Sequence, residues 1–209
     1  EDNLAKLHLT CAKCYWNLGG DYVNDKRLCF AHILQAAQLD AESDEPFTLL
    51  GRYYSQVAND VPRARKCYQR ALAINDDASE AGQWLCNDLH RQGQFALEES
   101  ICSNAAENSP TATWAWRRLG FCHVRKGDNS SAISSFYGAL RVSPDDSTTW
   151  EALGACYQRM GMLTSAKKAY EKAVSLSPSR EYALLQLARV EYTMGNNIVA
   201  DDLYTRALR

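Results

Sequence analysis

The chain has 209 residues, a formal charge of −2, 46% apolar residues and 23% charged residues. That balance suits an ordinary globular chain and gives no overall pull toward nucleic acid or an anionic membrane. No run approaches the roughly 18 consecutive apolar residues that a membrane-spanning helix needs. The opening Glu1-Asp2-Asn3 has neither an initiating Met nor a charged-then-apolar signal segment, so an internal piece of something longer is expected.

A recurrence of 34 residues sets the frame for everything else. Trp116, Leu119, Gly120, Gly127, Ala132, Phe136, Ala139 and Pro144 return as Trp150, Leu153, Gly154, Gly161, Ala166, Tyr170, Ala173 and Pro178, and the frame runs on through Leu187, Ala188, Gly195, Ala200, Tyr204 and Ala207. This apolar, small and aromatic spelling at a period of 34 is that of a tetratricopeptide array, a stack of helix-turn-helix units. The fold class expected is all-α: one right-handed superhelical solenoid of about six repeats over residues 1–209, with the first helices on its concave side.

In chain order the units are 5–43, 44–78, 79–112, 113–146, 147–180 and 181–209. The first has a long turn at Gly19-Gly20-Asp21-Tyr22-Val23-Asn24-Asp25 before Cys29, Ile33 and Ala36. The second carries Leu50, Gly51, Tyr54, Ala64, Tyr68 and Ala71, with one extra residue in the turn Asn59-Asp60-Val61-Pro62. The third is degenerate, with Cys86 and Cys102 where a glycine and an aromatic are usual. In the fourth and fifth, Gly127 and Gly161 should stop the first helix, and Pro144 and Pro178 the second. Gly120 and Gly154 should oppose Ala132 and Ala166 where the helices cross, and Thr148-x-x-Glu151 has capping-box spelling. The last unit stops at Arg209 with no polar capping helix, so the array is expected to continue.

The eight cysteines fall mostly where the repeat wants a small apolar residue, which points to free thiols in a reducing, intracellular setting. Cys11-x-x-Cys14 with Cys29-x-x-His32 also has zinc-ligand spacing. Because Cys11 and Cys29 occupy core columns, packing is the reading adopted, and no metal or other cofactor is assigned. The four histidines lie without a matched nucleophile, and Gly19-Gly20 lacks a following Gly-Lys-Ser/Thr, so catalysis is not indicated. Arg91, Arg125 and Arg159 form a column at the period of 34, while Lys13, Arg52 and Arg189 form a second and Arg117-Arg118 add charge. Facing a groove, these would suit an acidic peptide or a phosphate backbone. Placed two residues before a helix-ending glycine, the first column also complements the helix dipole. Direct RNA contact is less favoured, since no stacking aromatics are interleaved. The carboxylate clamp of chaperone co-factors needs a Lys-Asn pair where this chain has Gln83 and Asn87. Trp114, outside the repeat's Trp column, is either a partner anchor or packed against the preceding repeat. The candidate partner-binding set is therefore Lys13, Arg52, Arg91, Trp114, Arg117, Arg125, Arg159 and Arg189.

Non-consensus details carry a closer likeness. Pro46-Phe-Thr-Leu-Leu-Gly51-Arg-Tyr-Tyr54, Arg63-Ala-Arg-Lys-Cys-Tyr68-Gln-Arg-Ala71, Ala78-Ser-Glu-Ala-Gly82, Thr113-Trp-Ala-Trp-Arg117-Arg-Leu-Gly120 and the insertion Asp25-Lys26-Arg27 resemble the N-terminal array of the tetratricopeptide scaffold subunits of superkiller (Ski) complexes. The resemblance implies a non-catalytic cytoplasmic scaffold, with the nucleus as a second compartment. It implies as partners a DExH-box RNA helicase, WD40-propeller subunits and the exosome, with RNA decayed 3′ to 5′. The rival readings are a peptide-binding adaptor and the regulatory array of an enzyme, such as a glycosyltransferase, whose catalytic domain lies outside this chain.

Overall fold

The computed structural model of the protein describes residues 2–18 and 26–208, and among them the chain forms twelve α-helices and no strand. The long turn expected at Gly19 to Asp25 lies outside the described residues. The helices fall into two compact units, residues 1–94 and 95–209. Unit 1 holds α1 (Asp2–Asn17), α2 (Arg27–Leu39), α3 (Asp44–Gln56), α4 (Val61–Ile74) and α5 (Ser79–Arg91). Unit 2 holds α6 (Phe95–Asn108), α7 (Thr113–Lys126), α8 (Asn129–Val142), α9 (Ser147–Arg159), α10 (Leu163–Leu176), α11 (Glu181–Thr193) and α12 (Asn197–Ala207). Within each unit every helix packs on its chain neighbour, giving the hairpins α1/α2, α3/α4, α7/α8, α9/α10 and α11/α12.

Helix ends follow the residues that punctuate them. Gly127 and Gly161 take left-handed conformations, φ 81° and 73°, at or just after the ends of α7 and α9. In the second repeat the same turn has no glycine: Asn59 adopts φ 52° and Asp60 then caps α4 by accepting the Arg63 N–H at 3.0 Å, which accommodates the extra residue. The helices α8 and α10 stop two residues before Pro144 and Pro178. The capping box foreseen at Thr148 is replaced. Asp146 caps α9 by accepting the Thr148 N–H at 3.0 Å, and Glu151 turns instead to Arg180, 2.6 Å away.

What stands nearest the glycines of the first helices is an aromatic ring rather than the alanine. A methyl group on Gly120 would lie 2.5 Å from the Phe136 ring, one on Gly154 2.8 Å from Tyr170, and one on Gly51 2.7 Å from Tyr68. A helical side chain leans toward its own N-terminus, so each ring covers the turn before it and fills the space beside Ala132, Ala166 or Ala64. Those rings are among the largest fully buried side chains, and the alanines are fully buried beside them. The repeat tryptophans pack at the edge of the core, Trp150 against the cluster around Phe136 and Leu153, and each also ties two repeats together. Trp116 is half-buried, lies over Gly138 of α8 and donates its indole N–H to the Pro110 carbonyl at 3.1 Å; Trp150 donates to the Pro144 carbonyl at 2.8 Å. Each thus ties the start of one repeat to the proline ending the previous helix.

Buried carboxylates complete the joints. Glu98 of α6, 1% exposed, holds Arg118 at 2.5 Å and Arg125 at 3.1 Å on α7. Asp88 of α5 pairs with Arg65 of α4, and Glu191 of α11 with Lys167 of α10, each at 2.6 Å. A buried ion costs several kcal/mol to desolvate, so such a pair fixes register more than it adds stability.

Two stability predictions follow from these contacts. Helix propensity alone would make Gly154→Ala stabilising by about 0.5–1 kcal/mol; against Tyr170 it should instead cost about 1–3 kcal/mol, lowering the thermal midpoint in a circular-dichroism melt, and a raised midpoint would refute the contact. Glu98→Ala should cost about 3 kcal/mol by removing the buried carboxylate that Arg118 and Arg125 share, whereas Lys126→Ala, which breaks an exposed pair with Glu99, should cost about 1 kcal/mol or less in denaturant titration.

Candidate partner-binding groove

In unit 2 the exposed faces of α7, α9 and α11 line two adjoining clefts. One, of about 300 Å³, is walled by Phe121, Val124, Ala152, Ala155, Arg159 and Tyr182. The other, of about 540 Å³, shares Ala155, Arg159 and Tyr182 and adds Gln158, Gln186 and Arg189. The 34-residue frame builds this surface, because Phe121, Ala155 and Arg189 occupy one column and Thr148 and Tyr182 another. Small side chains on α9 make the floor. Phe121 and Tyr182, 42% and 53% exposed, form the apolar walls. The amide of Gln158 is held by the Tyr170 hydroxyl, which donates to its Oε1 at 3.1 Å.

The charge of this groove is set by which arginines are left over. Arg125 is spent on Glu98 and lies over the Phe95 ring at 4.2 Å. Arg117 pairs with Asp146 at 3.2 Å. Glu151 is paired with Arg180; its burial pushes its pKa up, only partly offset by that guanidinium. Arg159 and Arg189 are exposed and have no ion-pair partner among the described residues. Two free guanidiniums beside apolar walls and side-chain amides can take an extended segment that carries carboxylates next to an apolar or aromatic side chain.

The remaining candidates are not gathered here. Trp114 is 3% exposed, so it is packed inside unit 2 and offers no anchor to solvent. Arg91, at the end of α5, lies 3.8 Å from Asp88 and donates to the Asn87 carbonyl, the dipole-complementing position foreseen for it. In unit 1, Lys13 and Arg52 do line a cleft of about 280 Å³, but each faces its own carboxylate, Glu45 at 2.8 Å and Glu80. Asp44 and Asp77 also line that cleft, so its carboxylates outnumber its cations and it offers an acidic segment nothing to pair with. Phe121, Tyr182 and Gln186 carry no charge, so the basic columns do not point to them. Following the Arg189 column back by 34 would have reached Ala155 and Phe121.

Five of the eight cysteines are buried and all are free thiols. Cys29 donates its S–H to the Ala12 carbonyl at 3.3 Å, while burial pushes its pKa up; Cys14 is exposed; and His32 Nδ1 meets His8 Nδ1 at 2.8 Å. The four residues with zinc spacing therefore do not converge. Among the described residues no group of three or more His, Cys, Asp or Glu is placed to hold a metal ion, and no helix is long and apolar enough to cross a membrane.

Comparison with known proteins agrees with this architecture. Residues 147–180 match the tetratricopeptide repeat model. The chain is 34% identical over 141 residues to Superkiller complex protein 3 of Mus musculus, spanning 66% of this chain and 9% of that protein. It is 31% identical over 143 residues to the Homo sapiens protein of the same name, spanning 68% and 9%. Among solved structures, Pseudomonas aeruginosa pilF superposes with a TM-score of 0.74 at 14% identity over 97% of this chain and 89% of that one, a likeness of fold. This chain is an all-α tetratricopeptide solenoid, similar over 66% of its length to Superkiller complex protein 3, of which it spans 9%.

Proposed function

We propose that the chain is part of a non-catalytic scaffold in a Ski-type complex supporting exosome-dependent 3′-to-5′ decay of cytoplasmic RNA, and that the unit 2 groove grips a partner segment. The similarity to Superkiller complex protein 3 carries this reading. On it, the partners are a DExH-box RNA helicase, WD40-propeller subunits and the exosome. The groove supplies the means: Phe121 and Tyr182 as apolar walls, with Arg159 and Arg189 to pair with carboxylates. Its shape is held by packed helices rather than loops, so little ordering entropy is lost on binding.

A peptide-binding adaptor outside RNA decay would use the same groove, and the partners decide between them. The full-length protein, affinity-purified from its own cells and examined by mass spectrometry, should bring down an RNA helicase and propeller subunits. The double variant Arg159→Glu/Arg189→Glu should lower recovery of at least one of them about tenfold, equivalent to about 1.4 kcal/mol, without moving the thermal midpoint. Absence of both partner classes from the wild-type material would contradict the complex. Unchanged recovery with the double variant would contradict the groove.

A further inference from the structure

Unit 2 carries three Ser-Pro dipeptides at the repeat spacing, Ser109-Pro110, Ser143-Pro144 and Ser177-Pro178, each directly after α6, α8 or α10. In all three the serine is half-buried and the proline exposed. Each turn is closed by one backbone hydrogen bond, Ala112 N to Ser109 O at 3.0 Å, Asp146 N to Ser143 O at 3.3 Å and Arg180 N to Ser177 O at 3.1 Å. The third residue after each serine separates them: Ala112, Asp146 and Arg180. Only Ser177 is followed by a cation. Its surroundings are also distinct. Ser177 Oγ lies 3.4 Å from Ser147 Oγ, and Arg180 Nη1 lies 3.4 Å from that same oxygen and 3.2 Å from Thr148 Oγ1.

We propose that Ser177 is a phosphorylation site for a proline-directed Ser/Thr protein kinase, and that the phosphate retunes the groove by drawing Arg180 away from Glu151. Ser177 Oγ attacks the γ-phosphorus of ATP; the new O–P bond forms as the bond to the β–γ bridging oxygen breaks. ADP leaves, and the hydroxyl proton passes to the kinase's catalytic base. Such kinases select proline after the acceptor because their site offers no partner to an N–H there, and a cation three residues on pairs with acidic groups of the kinase. To extend in a kinase cleft this stretch opens the backbone bonds from Arg180 N to Ser177 O and from Ser177 N to Ala173 O, and releases the Arg180 side chain from Glu151, Ser147 and Thr148.

The phosphate would bring a charge of about −1.5 to −2 and three acceptor oxygens into the space shared by Ser147 and Arg180. Ser147 is the first residue of α9, an end that favours an anion. Asp146 is the like charge nearby, and Arg117 faces it at 3.2 Å. Arg180, already bonded to Ser147 Oγ and Thr148 Oγ1, is the cation that would re-pair, at the expense of Glu151, whose side chain is 7% exposed. Glu151 and Thr148 both line the cleft beside Arg159. Phosphorylation therefore adds negative charge where an acidic segment would bind, and this second half rests on the groove reading above.

The test treats the purified full-length protein with a cyclin-dependent kinase and Mg-ATP and locates phosphate by tandem mass spectrometry. Incorporation at Ser177 at least about tenfold above Ser109 and Ser143, abolished in Ser177→Ala, is the expected result. An unmodified Ser177, while a peptide of residues 172–185 is phosphorylated in parallel, would overturn the site. Equal modification of all three serines would overturn the selection by Arg180. Recovery of groove-dependent partners should then fall several-fold for phosphorylated wild type but not for Ser177→Ala treated alike. Modification at Ser177 with unaltered recovery would overturn the coupling to the groove. Failure of unphosphorylated protein to hold any partner would instead count against the proposed function and leave the site standing.

Discussion

The contact on which this structure depends is a missing side chain set against a ring. Gly51 on Tyr68, Gly120 on Phe136 and Gly154 on Tyr170 let the two helices of a hairpin approach until ring meets backbone. The aromatic fills the space that a β-carbon would need, so distance and register are set together. Once each hairpin is locked, successive first helices present equivalent positions in phase. Columns separated by 34 in the sequence then become neighbours on one surface. The third repeat puts Cys86 and Cys102 in these two columns, both fully buried, and the boundary between the two compact units falls within that repeat.

Charge is used mainly as joinery. Carboxylates with almost no exposure, Asp88, Glu98 and Glu191, each receive a cation from an adjacent helix, and Glu151 receives one from Arg180. These pairs are costly to bury and costlier to break, which favours one stacking register over its neighbours. The same economy decides what is left for partners. Unit 1 balances Lys13 and Arg52 against Glu45 and Glu80, whereas unit 2 leaves Arg159 and Arg189 facing open space beside Phe121 and Tyr182.

Much of this was legible in the residues because the repeat repeats its punctuation. Gly127, Gly161, Pro144 and Pro178 mark helix ends through backbone geometry, a local property. What failed were inferences about what a side chain meets. Spacing sets Gly120 against Ala132, whereas the atoms nearest Gly120 belong to the Phe136 ring, which leans back over that level. Thr148 was read as a capping residue because its spelling fits, yet Asp146 stands nearer and Glu151 has a cation waiting on the next repeat. For Trp114 the spacing leaves partner anchor and packing both open, and its burial decides for packing; of the basic columns only Arg159 and Arg189 remain without an ion pair among the described residues. Pairing of charges across repeats is a tertiary property, and a one-dimensional spacing carries no record of it.

The groove of unit 2 is therefore a remainder: the part of a regular surface that core packing, capping and ion pairing do not consume. Hydrogen–deuterium exchange on the full-length protein, free and in its purified complex, tests that idea most directly. The account predicts that assembly slows exchange in α9 and α11 across residues 152–159 and 182–193, with the outer faces of α8 and α10 unchanged. Slowed exchange confined to α8 and α10, with the groove helices unaltered, would contradict it.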